Sequence, residues 1–223
     1  MTYRIRIDHA PAYELIMSLD AYLVTPSLRN MDLGEAWAVE TRATLSAALT
    51  RRLAAVTDVP DYRWLGLLVQ VAPDQKARTA PGYLRWLHQL SAGDLYELLA
   101  PHATDQISLP QDLVQFRDGA VDLLSHWHDG YFAGVQDRLE AHLAATAAEA
   151  VQISGRLDPS LAVEELSRGY YVNDWPGLQE VWLVPQYHKR PITLTAAFAQ
   201  HLTFYCPSAD LPKPAGQPDT EIG

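Results

Sequence analysis

Residues 125–132 read SHWHDGYF and place His126, His128 and Asp129 within four positions. Imidazole nitrogens and carboxylate oxygens can bind a metal ion or transfer a proton, so the spacing of these side chains matters. On a helix, His126 and His128 diverge by about 200°. Histidines that bind zinc from one helix are four positions apart for that reason. We therefore predict no metal at these two histidines, and an exposed polar row in which His126 meets Asp122 or Asp129.

A second group of metal-binding residue types lies near the C-terminus, on or beside predicted strands. Its members are His188, His201 and Cys206. A cysteine and two histidines can hold zinc or copper, but no CxxC or HxxxH spacing groups these residues. In the alternative interpretation, His188 is solvated beside its basic neighbours. We predict no metal and no cofactor, and these three residues remain the weak candidates.

The remaining side chains do not form a recognisable catalytic pattern. The adjacent pair Glu164 and Glu165 fits the solvated face of a helix. The chain contains no GxSxG, P-loop or GxGxxG motif, and no serine–histidine spacing indicates a triad. We therefore expect that the protein is not an enzyme, with an unrecognised hydrolase or metalloenzyme as the weakest alternative.

Composition and charge restrict the class of protein. The 223 residues are 48% hydrophobic and 20% charged, which is typical of a soluble domain with a sizeable core. The formal net charge is −10, and the densest basic groups are the pairs at 51–52 and 189–190, so we predict no direct binding to duplex DNA. No apolar run is long enough to cross a membrane and no secretory signal opens the chain. The single cysteine favours a reducing cytoplasm.

Hydrophobic periodicity predicts a mainly helical chain. Helical spacing follows Pro11 up to the stretch 25–27, and it recurs in several later segments. Ser91 is a candidate N-cap with Asp94 at the favoured third position. The longest pattern is expected to break near Gly130, because glycine weakens a helix. The later helices are predicted at 35–57, 62–72 (where a strand is the alternative), 81–90, 94–100, 111–153 and from 158 to about 169.

The two ends of the chain predict a small sheet. Residues 3–8 alternate strictly between apolar and polar, and residues 180–187 and 202–206 are aromatic and β-branched. The predicted fold is mainly α with a small antiparallel β-sheet formed by these N- and C-terminal strands, that is, α+β. We expect residues 1–206 to form one mainly helical domain, and the proline-rich residues 207–223 to form a linker or tail.

Several segments resemble the N-terminal region of a known family: YRIRIDHAPAYELIMSLDAYL, DLGEAWAVET, WHDGYFAGVQDRLEAHL, ELSRGYYVN, EVWLVPQYHKRPI and LTFYCP. The sequence is similar to ArsR-type winged-helix transcription regulators that carry a long N-terminal extension, and the resemblance covers about residues 3–207. In those regulators a winged helix-turn-helix follows the linker, and this chain shows no such pattern, so no DNA-binding residue is carried over.

The resemblance implies a regulatory role. We expect a bacterial regulatory domain that senses a small-molecule ligand, forms a homodimer, or does both. It would contact DNA only through a winged-helix module outside this chain. The candidates for an aromatic ligand pocket are Trp127, Tyr131, Trp182 and Tyr187. The alternative is a stand-alone protein-interaction module.

Overall fold

The computed structural model describes residues 3–57, 59–173 and 175–209. The strands are β1 (Arg4–Ile7), β2 (Glu180–Gln186), β3 (Leu194–Ala197) and β4 (His201–Pro207). The α-helices are α1 (Pro11–Leu23), α2 (Gly34–Thr44), α3 (Ala47–Ala54), α4 (Tyr62–Val71), α5 (Ala80–Gln89), α6 (Ala92–Leu99), α7 (Leu113–Trp127), α8 (Ala133–Ser154) and α9 (Pro159–Ser167). Short 3-10 turns lie at Thr25–Asn30, Lys76–Arg78 and Ala100–His102, and a π turn lies at His128–Phe132. The predicted class, mainly α with a small sheet, is confirmed.

The four strands form one sheet in the order β1-β2-β4-β3. The N- and C-terminal strands do pair, as predicted, but the antiparallel arrangement predicted for them is wrong. β1 is parallel to β2 and β2 is parallel to β4, whereas β3 runs antiparallel to β4. Parallel strands need a long crossover connection, and the helical region that separates β1 from β2 supplies one. β3 was not predicted, because its four residues LTAA carry little strand signal.

Two predicted helices differ from their expected course. The segment 35–57 is two helices, because Leu45 is extended and Ser46 caps α3 by accepting a hydrogen bond from Leu49 N. The α-helical pattern is interrupted near Gly130, as expected, but the interruption is the π turn, through which α7 passes into α8 without a loop. A Cβ at Gly130 would lie 2.5 Å from Leu49 Cδ2, so this glycine permits close packing against α3.

Other local predictions are confirmed. Ser91 and Asp94 form a capping box at the start of α6, and residues 62–71 are helical. Asp158 precedes Pro159 at the start of α9, and this helix ends in a left-handed turn at Arg168 and Gly169. β4 continues to Pro207, and the predicted tail from residue 210 onward lies outside the described residues.

The sheet lies between two apolar layers. Because successive side chains of a strand point to opposite faces, β4 contributes Tyr205 to the helical core around α1 and Phe204 to a smaller core against α9. Helix α1 is buried along nearly its whole length, so it is the central helix of the fold. This burial also places the few polar side chains of α1 away from solvent.

Gly66 allows α4 to approach the buried Tyr205. A Cβ at this position would lie 1.8 Å from the Tyr205 hydroxyl, and Tyr205 is fully buried. We expect Gly66→Ala to lower the free energy of unfolding by about 1–3 kcal/mol, as overpacking of a core does. The matched control is the same substitution at a glycine with free space around it. That glycine is Gly119 in α7, where an added Cβ would have no atom within 4 Å. That change should stabilise by about 0.5–1 kcal/mol, because alanine is the better helix former. Urea denaturation measures both, and effects of the same sign would contradict this packing.

Candidate functional site

The segment Tyr187–Arg190, which follows β2, carries three consecutive cationic or ionisable side chains into the protein. His188 contacts Glu14, Lys189 contacts Asp20, and Arg190 Nη2 lies 3.0 Å from Asp32 Oδ2. The side chains of His188, Lys189 and Arg190 are all buried. Since Glu14 and Asp20 belong to α1 and Asp32 precedes α2, the segment binds the sheet to the N-terminal helices. We call it the 187–190 segment.

Glu14 is the acceptor at the centre of this arrangement, and it is only 1% exposed. Its carboxylate accepts hydrogen bonds from Tyr187 N at 3.0 Å and His188 N at 2.9 Å, and it also contacts His188 Nδ1. If Nδ1 carries the proton that Glu14 accepts, Nε2 is left as an acceptor. Buried carboxylates need such partners, because an unpaired charge away from water is costly.

Two further side chains extend the chain of hydrogen bonds. The Tyr131 hydroxyl lies 2.7 Å from His188 Nε2, and Trp37 Nε1 donates to the Tyr131 oxygen at 2.9 Å. Burial raises the pKa of Tyr131, so its hydroxyl keeps its proton and can donate it to Nε2. Glu14, Trp37, Tyr131 and His188 are named the hub below. They come from α1, α2, the π turn and the 187–190 segment respectively.

Aromatic rings surround the hub on the side of α7. Trp127 lies 4.7 Å from Tyr131 and 4.9 Å from Tyr22 between ring centroids. The Trp127 side chain is fully buried, and its Nε1 donates to Ser18 Oγ at 2.9 Å. The rings therefore join α1, α7 and the π turn in one packed unit next to the hub.

The 187–190 segment and its neighbours also hold residues 207–209, the last residues that the structure describes. Arg190 Nη1 donates to Ala209 O at 2.8 Å, and Ser208 N donates to Gln186 O at 2.8 Å. Arg168 Nη2 donates to Pro207 O and Ser208 O at 3.4 and 3.3 Å. Arg168 has a φ of 62°, an uncommon value for a residue with a side chain. Residues 207–209 are called the exit below.

The hub is shaped to fix geometry. Glu14 and His188 are each 1% exposed, so in this conformation neither presents a reacting atom to solvent. A glutamate, a histidine and a tyrosine in hydrogen-bond contact could relay a proton, but a reaction also needs access for a substrate. The hub instead holds α1, α2, the π turn and the 187–190 segment in one relative position, and the exit is held with them.

Comparison with protein-family models, with curated proteins and with solved structures finds no match. Among the described residues, no helix combines the length and apolar character that spanning a membrane requires.

The four predicted pocket residues are only partly brought together. Tyr131 and Tyr187 converge on His188, at 5.7 and 5.6 Å between ring centroids, and Trp127 packs against Tyr131 at 4.7 Å. Trp182 lies elsewhere, beside Arg6 and Glu180. Trp127 is enclosed on all sides and packs in the core. That these residues form a ligand pocket remains a prediction.

The three weak metal candidates are separated. His188 is bound by Glu14 and is buried, so its expected solvation beside Lys189 and Arg190 is wrong. His201 stacks on Phe198, while Cys206 packs in the small core against α9, where burial raises its pKa to about 12. Within the described part of the chain, no group of three or more histidine, cysteine, aspartate or glutamate side chains could hold a metal ion.

The SHWHDGYF stretch lies at the end of α7 and in the π turn. His126 is exposed, and its Nδ1 lies 2.7 Å from the backbone O of Asp122 and 3.6 Å from its side-chain Oδ1, so the predicted polar row of His126 with Asp122 is confirmed. His128 Nδ1 lies 3.0 Å from Asp129 Oδ1. The tyrosine of this stretch, Tyr131, is the residue that reaches the hub.

Sequence reasoning missed Glu14 and Trp37. One signal for Glu14 was present: it lies in the run AYELIM, where apolar residues flank it on both sides of a helix. A carboxylate within a helix that is apolar all round must find a buried partner. Nothing local to the sequence identifies that partner as His188, 174 positions away.

His201 makes stability depend on pH. Burial, and to a lesser extent the nearby His102, lower its pKa from 6.5 to about 4, while Glu180 opposes the shift. Between these values the unfolded chain binds a proton that the folded chain does not, so stability falls as the pH drops from 6.5 toward 4. At pH 5 this linkage costs about 1–2 kcal/mol relative to pH 7.

The variant His201→Phe removes this group and keeps an aromatic ring beside Phe198. The loss of unfolding free energy between pH 7 and pH 5 should be smaller in the variant than in the wild type. Guanidinium denaturation at the two pH values measures it. An unchanged pH dependence would mean that His201 titrates normally in the folded protein.

Proposed function

We propose that the chain is the regulatory region of an ArsR-like bacterial transcription regulator. In this role, a signal that reaches the helical part of the domain is transmitted through the C-terminal tail to a DNA-binding module. One observation carries the proposal: the 187–190 segment contacts the hub through His188 and the exit through Arg190. A displacement of the hub therefore acts on the position of Ala209.

For this role we propose that the hub has a second arrangement besides the one described, in which its hydrogen bonds are displaced. Its hydrogen bonds join elements distant in the chain, so a ligand or partner that moves α2 or the π turn changes Trp37 and Tyr131 first. Such a molecule shifts the population only if it binds one arrangement more tightly than the other. In a homodimer, this change in the hub would alter the direction of the two C-terminal tails. The tails would in turn reorient the attached DNA-binding modules.

A stand-alone interaction module is the second candidate. Exposed apolar side chains on α8, on α9 and in the loop between them favour it: Val151, Leu157 and Leu161 are 50%, 38% and 51% exposed. Light scattering distinguishes the two. A monomer at all concentrations that captures another protein through these three residues would favour the module over the regulator.

Gene deletion followed by transcript sequencing tests the regulatory role. We expect deletion to change the transcription of a small set of genes and the wild-type gene to restore it. A gene encoding Tyr131→Phe, which removes only the hub hydroxyl, should accumulate normally and fail to restore control. The control is Tyr96→Phe, at an exposed tyrosine of α6, which should restore it. No change of transcription after deletion would overturn the proposal.

A further inference from the structure

A groove opens at the surface where the end of α1 meets α2, α3 and the loop that follows. Its volume is about 290 Å³, near the lower limit for sites that bind small molecules. We call it the Arg42 groove. It is lined by Tyr22, Leu23, Arg42, Thr50, Leu53, Ala54, Val56 and Val59.

The lining combines an apolar wall with one positive charge. Arg42 is the only charged residue among those eight. Within the described residues it takes part in no salt bridge and no side-chain hydrogen bond, whereas Arg29 and Arg52 each face a carboxylate. The Thr50 hydroxyl is likewise without a hydrogen-bond partner in this part of the chain. An unpaired guanidinium beside an apolar wall is complementary to an anion that has an apolar body.

We propose that the Arg42 groove binds a small monocarboxylate whose body is aromatic or branched aliphatic. The planar guanidinium of Arg42 accommodates a carboxylate through two parallel hydrogen bonds, and the Thr50 hydroxyl can donate a third. Leu53, Val56 and Val59 line the space for the apolar body. With one cation in the lining and a net charge of −10 on the chain, a single negative charge is matched better than several.

The groove shares a wall with the aromatic rings next to the hub. Tyr22 lies 4.9 Å from Trp127 and 6.1 Å from Trp37 between ring centroids, and Trp37 donates to Tyr131. A ligand that contacts Tyr22 therefore acts on side chains that reach His188. The regulatory effect of this ligand rests on the proposed function, whereas binding at the groove does not.

Calorimetric titration tests binding with benzoate and 4-methylpentanoate, and with benzamide as the neutral equivalent of benzoate. We expect both carboxylates to bind the full chain and benzamide to bind at least about tenfold more weakly, since it lacks the charge that pairs with Arg42. Arg42→Gln should weaken benzoate by a similar factor. The control Arg51→Gln makes the same change of charge at an exposed α3 position outside the groove and should leave affinity unchanged.

Thermal melting of both variants checks that the fold is retained. The proposed site would be wrong if either carboxylate failed to bind at millimolar concentration. It would also be wrong if Arg42→Gln and Arg51→Gln lost the same amount of benzoate affinity. A separate measurement addresses the regulatory effect: the exchange rate of the Ser208 amide with and without benzoate. Binding without a change at Ser208 would keep the site and contradict its coupling to the exit.

Discussion

Replacing Trp127 with alanine should lower the free energy of unfolding by about 3–5 kcal/mol, because a large aromatic side chain is lost from a core and a cavity remains. Trp127 is fully buried between Tyr22 and Tyr131, and its indole nitrogen donates to Ser18. The variant removes the apolar contacts and the hydrogen bond together. Chemical denaturation monitored by circular dichroism gives the value.

The control for this change is the adjacent position. His126→Ala, on the exposed side of the same helix, should cost under about 0.5 kcal/mol, as exposed substitutions usually do. Comparable losses at the two positions would show that the buried and exposed faces of α7 are assigned wrongly.

Glu14→Ala is expected to have an effect of similar size. Truncating Glu14 leaves Tyr187 N, His188 N and His188 Nδ1 without their acceptor. Removing one partner of a buried ionisable pair typically costs about 3–5 kcal/mol, since the other partner stays buried and unpaired. Urea denaturation at pH 7 measures the loss of stability, and Glu14→Gln, which keeps the shape and one acceptor oxygen, should lie between the wild type and Glu14→Ala.

Glu35→Ala is the matched control for Glu14→Ala. Glu35 also pairs with a basic side chain, Arg29, but both are exposed at the surface. Its removal should leave the denaturation midpoint unchanged, because solvent-exposed ion pairs contribute little. If Glu14→Ala proved as mild as Glu35→Ala, the hub would not hold the fold together.

The elements that could be predicted from the sequence are those with local signals. The strict alternation at Arg4–Ile7 indicates β1, and Ser91 with Asp94 indicates the start of α6. Trp127 belongs to a three-and-four spacing that marks a buried helical face, and it is fully buried. In each case the pattern lies within a few residues, so tertiary contacts do not need to be known.

The arrangements that could not be predicted depend on distant partners. The parallel pairing of β1 with β2 follows from the path of the intervening helices, which no local pattern records. His188 beside two basic neighbours looks solvated, and its burial becomes clear only when Glu14, Asp20 and Asp32 are placed around the segment. Gly130 looks like a helix breaker until its contact with Leu49 is known.

The central claim is that the hub sets the position of the exit, and the Ser208 amide tests it most directly. This amide donates to Gln186 O, next to the 187–190 segment. Tyr131→Phe removes one hydroxyl that contacts His188 and Trp37. Losing about 1 kcal/mol of local stability should speed hydrogen exchange at Ser208 about fivefold, measured by nuclear magnetic resonance, while the Phe204 amide in the middle of β4 exchanges at its wild-type rate. Unchanged exchange at Ser208, or equal acceleration at Ser208 and Phe204, would contradict the coupling between hub and exit.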